Sequence, residues 1–129
     1  MPFIGELKYE KIPDKESFVG RPVYKLLQPF EYSSDEYKPY EPIYCETGFK
    51  TDFASIPEWL FFLRPNNGKW KKAAVIHDKA CLLAKEGGMS YKEADIYFYY
   101  ALKDDGASWF TTNLFYFWVR LHHIIANKK

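Results

Sequence analysis

The stretch Gly48-Phe-Lys-Thr-Asp-Phe-Ala-Ser-Ile-Pro57 separates two unlike halves of the chain. Upstream of it, residues 18–28, 30–32 and 43–49 are rich in aromatic and β-branched side chains, and proline and polar residues interrupt them. That pattern predicts short strands, with Pro22 at an edge or a strand start because it cannot donate to a ladder. The polar segment 33–42 carries two prolines and reads as a loop. Downstream, Ser55-Ile-Pro-Glu58 has the form of a helix-capping box, with Pro57 in the first turn where a missing N–H costs nothing. A short helix is expected from there to about residue 64. Further helices are expected over residues 70–85, from the Ser90–Glu93 capping box to about residue 103, and over 109–126. Gly87-Gly88 and Asp105-Gly106 supply the breaks. Strands first and helices afterwards predict an α+β fold: a small N-terminal antiparallel sheet followed by a cluster of about four helices.

Composition agrees with one domain over residues 1–129, mainly strands and loops in 1–50 and mainly helical in 51–129. The 129 residues are 47% hydrophobic and 20% aromatic, enough apolar area for an ordinary core. A net charge of +1 gives no field to draw the chain to nucleic acid or to an anionic membrane, so neither partner is expected. The longest apolar runs, such as residues 114–119, are too short to span a bilayer. The first residues lack the basic and long apolar regions of a signal peptide. Cys45 and Cys81 show no metal-binding spacing and read as reduced thiols, with a bridge between them left open. Lys69, Lys71 and Lys72 read as solvating the start of a helix.

Helical phase brings the chemistry-bearing residues together. Ala73, His77, Ala80, Cys81 and Ala84 share one face of the 70–85 helix, whose small side chains admit a close neighbour. Ala94, Phe98, Ala101 and Leu102 form the apolar face of the next helix, with Asp95 on its shoulder. An acid so placed needs an answering group. His77, Asp78 and Asp95 are therefore expected to converge, with Asp52 arriving from the turn. Asp52, His77, Asp78 and Asp95 would make an oxygen-rich metal site with one nitrogen, suited to Zn²⁺, Mn²⁺ or Mg²⁺. Asp52, His77 and Asp78 are the catalytic candidates. The same residues also suit a structural network in which Asp78 or Asp95 holds the His77 ring and Asp52 caps the turn. Ser55 is readable as a nucleophile activated by His77, but the N-cap role accounts for it fully. His122 and His123 read as helix-end groups complementing the dipole.

The order G-F-x-T-D-x-A-S-x-P, then A-A-V-x-H-D, then an A-D pair resembles a small family of bacteriophage and prophage proteins of unknown function. The resemblance runs from about residue 48 to about residue 95, with weaker support from the aromatic C-terminal helix. It implies a phage origin, in host cytoplasm or virion, and a site at these motifs; it supplies no reaction. His77-Asp78 is also similar to the adjacent pair of metal-dependent phosphohydrolases, although those need an upstream histidine and none precedes His77. Two functions are thus expected as alternatives. One is a small phage-encoded, metal-dependent hydrolase acting on a phosphoester or an amide. The other is a non-enzymatic accessory or virion component. In the last helix, Phe110, Leu114, Phe117, Trp118, Leu121 and Ile125 are expected to face the core. Phe115, Tyr116 and Val119 would then be left for self-association or another phage protein.

Overall fold

The computed structural model describes residues 2–16, 22–36, 42–51 and 70–126. The fold is α+β, built from two small antiparallel sheets and, among the described residues, three helices. The strands are β1 (Phe3–Ile4), β2 (Tyr9–Glu16), β3 (Pro22–Leu26), β4 (Phe30–Tyr32), β5 (Ile43–Cys45) and β6 (Lys50–Thr51). One sheet has the order β1-β4-β5 and the other β2-β3-β6. The single sheet expected from the sequence is therefore divided. The chain changes sheets three times, and each change has a local cause. Gly5, at φ 89°, lies between β1 and β2, packed so tightly that an added Cβ would sit 2.8 Å from the Pro29 carbonyl oxygen. Pro29 marks the change from β3 to β4. Gly48, at φ 87°, completes the turn from β5 to β6, in which the Phe49 amide donates to the Glu46 carbonyl. Only glycine adopts such a conformation without strain.

Two strands escaped the sequence reading. β1 has two residues, and β2 is an edge strand in which charged residues and Pro13 interrupt any alternation. Its pairing with β3 shifts register between Lys11 and Glu16, where Pro13 cannot donate. Pro22, by contrast, stands at the first position of β3 as expected.

The helices are α1 (Lys71–Lys85), α2 (Tyr91–Asp104) and α3 (Trp109–Ile125). Ser90 accepts from the Glu93 amide at 3.0 Å, and Ser108 caps α3 by accepting from the Thr111 amide at 3.1 Å. Gly87 and Gly106, both with positive φ, end α1 and α2. The Gly88 amide returns to the Leu83 carbonyl and the Ala107 amide to the Leu102 carbonyl, closing the last turns. The helix expected near residues 56–64 falls outside the described residues.

The core joins the strands to α1 and α2. Leu26, Phe30, Tyr32 and Ile43 meet Val75, Ile76, Phe98 and Leu102, all buried. Alanines 73, 74 and 80 of α1 and 94 and 101 of α2 have no exposed surface, and these small side chains let the two helices close on one another. The Tyr32 hydroxyl donates to Asp104 at 2.6 Å and pins β4 to the end of α2.

The face expected for α3 is corrected. Phe115 and Val119 are buried with Thr111, Thr112 and His123, whereas Phe110, Phe117 and Ile125 are 59%, 62% and 76% exposed. The buried positions recur every four residues and include two threonines and a histidine, which an apolar stripe would pass over. This helix is apolar on nearly every side, so hydrophobicity alone does not fix its rotation.

Candidate functional site

His77 lies within the buried run Ala73 to His77 of α1, where the alanines allow α2 to approach. From α2, Asp95 projects into the same space with no exposed surface at all. The His77 Nε2 is 2.8 Å from Asp95 Oδ1, and the ring of Phe98 stacks on the imidazole with centroids 4.6 Å apart. α3 brings two more groups, three residues apart and so on neighbouring ridges of one face. His123 Nδ1 is 2.7 Å from Asp95 Oδ2, and Arg120 Nη1 donates to the same oxygen at 3.0 Å. One carboxylate on α2 thus binds one side chain from α1 and two from α3. A buried carboxylate is costly unless paired and hydrogen-bonded, and here three donors answer it.

These contacts settle the protonation pattern. Burial pushes the Asp95 pKa up, but the hydrogen bonds from His123 and His77 outweigh it and hold the carboxyl at about 2. For His77, burial lowers the pKa, against the opposing pull of Asp95, so the ring is neutral near pH 7. An ionised carboxylate only accepts, so the ring nitrogen facing it carries the proton. That makes His77 the Nε2–H tautomer and gives His123 its proton on Nδ1. In each ring the second nitrogen lies on the side away from Asp95.

Among the described residues, His77, Asp95 and His123 bring ligand-type atoms within 4.8 Å of one another. Their spacings of 2.7 and 2.8 Å are those of hydrogen bonds. Two donors on a tetrahedral zinc ion, each about 2.0–2.1 Å from the metal, stand about 3.3 Å apart. The Arg120 guanidinium on Asp95 also occupies the place of a cation. The inner atoms therefore form a proton-bearing network in which Asp95 orients two histidines.

The other sequence candidates divide. Asp78 follows His77 but turns away from it and accepts a hydrogen bond from the Thr51 hydroxyl, which ties β6 to α1. It lines a cleft of about 450 Å³ together with Cys81, Tyr91 and His123. Cys81 Sγ is 3.4 Å from His77 Nε2, the nitrogen whose proton points to Asp95, so His77 does not serve as a base toward that thiol. Both cysteines are free, and burial pushes the Cys45 thiol up to about 12, which leaves it protonated and inert. Asp52 and Ser55, and with them the expected approach of Asp52 to His77, lie outside the described residues.

Sequence reasoning missed Arg120 and His123. The helix-end reading of the His122-His123 pair holds for position, since both lie in the last turn of α3, but His123 is a buried partner of Asp95. His122 is exposed and stacks beside Trp118. The available signal was the four-residue spacing Thr111, Phe115, Val119, His123, which places the second histidine of the pair on the buried face. Neither a curated protein nor a solved structure matches this chain. A family described as protein of unknown function, DUF1353, matches residues 24–119, well over half of the chain. The chain therefore belongs to the DUF1353 family.

Proposed function

We propose that this protein is a small hydrolase, acting on a phosphoester or an amide, with His123 as its general base. The observation that carries the reading is the Asp95–His123 pair. A fully buried carboxylate holds Nδ1–H of a histidine that also lines a cleft. The tautomer so fixed directs the basic Nε2 away from Asp95, the arrangement by which a carboxylate orients a catalytic imidazole. A water in the cleft would give its proton to Nε2 as its oxygen attacks, and the leaving group would take that proton back. A divalent ion, Zn²⁺, Mn²⁺ or Mg²⁺, would be held by the carboxylate of Asp78 in the same cleft and would make the water more acidic, leaving Nε2 of His123 free to take its proton.

The test is an assay of purified protein against chromogenic phosphoesters and amides, with and without each of these ions. Turnover by the wild type should fall at least about a hundredfold in His123→Gln, with folding retained. A wild type inert toward the whole panel, or a His123→Gln protein at full rate, defeats the reading.

A second reading is favoured by the outer face of α3. Trp109, Phe110, Phe117 and Ile124 are exposed along it, more apolar surface than a lone helix commonly leaves in water. On this reading the protein is a phage accessory or virion component, in host cytoplasm or particle, that associates with itself or another phage protein. The Asp95 network would then serve only to join the helices. Sedimentation should show wild type heavier than a Phe110→Ser/Phe117→Ser variant. Identical monomers would remove self-association through this face.

A further inference from the structure

We propose that the outer face of α3 docks on the same face of a second copy of this chain, the two helices antiparallel about a two-fold axis at Phe117. The proposal rests on the self-association reading above and names its partner. Phe110, Leu114, Phe117, Leu121 and Ile124 follow one another at spacings of four, three, four and three residues. That is the heptad spacing of a helix-packing seam. At about 100° per residue the five fall within an arc of roughly 80°. The arc lies opposite the buried stripe through Phe115 and Val119. Phe110, Phe117 and Ile124 are 59%, 62% and 61% exposed and Leu114 is half-buried, so the fold leaves the seam open.

The pattern of the seam selects the occupant. It reads nearly the same in both directions about Phe117. An antiparallel copy sets Phe110 against Ile124 of the second copy, Leu114 against Leu121, and Phe117 against itself. A two-fold contact requires this self-complementarity. Of the lysines, arginines and acids, α3 holds Arg120 alone, and its side chain donates to Asp95. The seam thus bears no charge by which to choose an unlike partner. Antiparallel placement also opposes the two helix dipoles. With a fully exposed aromatic side chain at about 200 Å², the seam and the neighbouring Ile125 leave roughly 500 Å² of apolar surface open. Homodimer interfaces are about 65% apolar, which brings each copy's share to about 800 Å², the standard size of a stable complex.

Sedimentation equilibrium of the full chain over a wide concentration range reads the association. The wild type should reach twice the chain mass, and Phe110→Ser/Phe117→Ser should associate at least about a hundredfold more weakly. Phe117→Lys and Phe117→Glu should each be monomeric, since like charges would meet at the axis, and their mixture should recover the dimer. Orientation is read by oxidation in a Cys81→Ser background. Phe110→Cys mixed with Ile124→Cys should give a linked dimer. Phe110→Cys alone should not, because two Phe110 positions in antiparallel copies stand about 21 Å apart along the axis. The seam positions substituted are exposed, so unchanged helical circular dichroism should show that the variants fold. A wild type monomeric at every concentration overturns the proposal and leaves only another phage protein as partner in the reading it rests on. A dimer indifferent to Phe110→Ser/Phe117→Ser overturns it and removes this face from that reading. Linked Phe110→Cys homodimers overturn it while leaving self-association through α3 intact.

Discussion

Three donors converge on Asp95, and its charge is what reconciles them. In Asp95→Asn, the amide cannot accept from His77, His123 and Arg120 together, and Arg120 keeps a partly buried positive charge with no counterion. Breaking a buried pair on one side costs about 3–5 kcal/mol, so a loss on that order is expected in denaturant unfolding. His123→Ala should cost roughly 2 kcal/mol, whereas His122→Ala, at an exposed position, should stay within about 0.5 kcal/mol. The pH dependence follows from the same contacts. His77 and Asp95 both have pKa values below their ordinary ones, so the unfolded chain takes up each proton first as the pH falls. The stability they supply is complete above about pH 6.5, the usual value for histidine. It declines below that as the unfolded His77 charges. A second decline follows between about pH 4 and 2, where Asp95 contributes on the order of 2 kcal/mol. Unfolding midpoints measured from pH 8 to pH 2 should trace both steps, and Asp95→Asn should abolish the lower one.

Helix ends were the most legible features, because their signals are local. Ser90 with Glu93 opens α2, and Gly87 and Gly106 close α1 and α2, each through contacts within a few residues. Ser108→Ala should cost about 1 kcal/mol, since the Thr111 amide loses its acceptor. Gly87→Ala should cost a similar amount, here through strain at φ 87° and not through collision, as nothing lies within 4 Å of an added Cβ. Thermal unfolding of the two variants checks both values. The strands were less legible. β1 and β2 are short or charged, and their pairing depends on glycine and proline positions that redirect the chain between sheets. His77 and Asp95 were readable because each is a polar residue among small or apolar neighbours. Arg120 and His123 were not, because their significance depends on how α3 is rotated, and packing against α2 decides that rotation.

Across the whole molecule, the Asp95 network links α1, α2 and α3, while Thr51 with Asp78 and Tyr32 with Asp104 tie the sheets to the helices. The cleft lies where β6, α1, α2 and α3 all contribute side chains, so the position of His123 depends on the packing of all three helices. No helix of the described residues is long and apolar enough to cross a membrane. The proposed chemistry requires the network to do more than hold helices together: it must fix which nitrogen of His123 bears the proton. Two-bond ¹H–¹⁵N correlation of the imidazole nitrogens at neutral pH reads this directly. The account predicts His123 protonated at Nδ1 and His77 at Nε2, with both patterns disturbed in Asp95→Asn. A His123 ring protonated at Nε2 alone, or one whose pattern is unchanged when Asp95 is replaced, would contradict it.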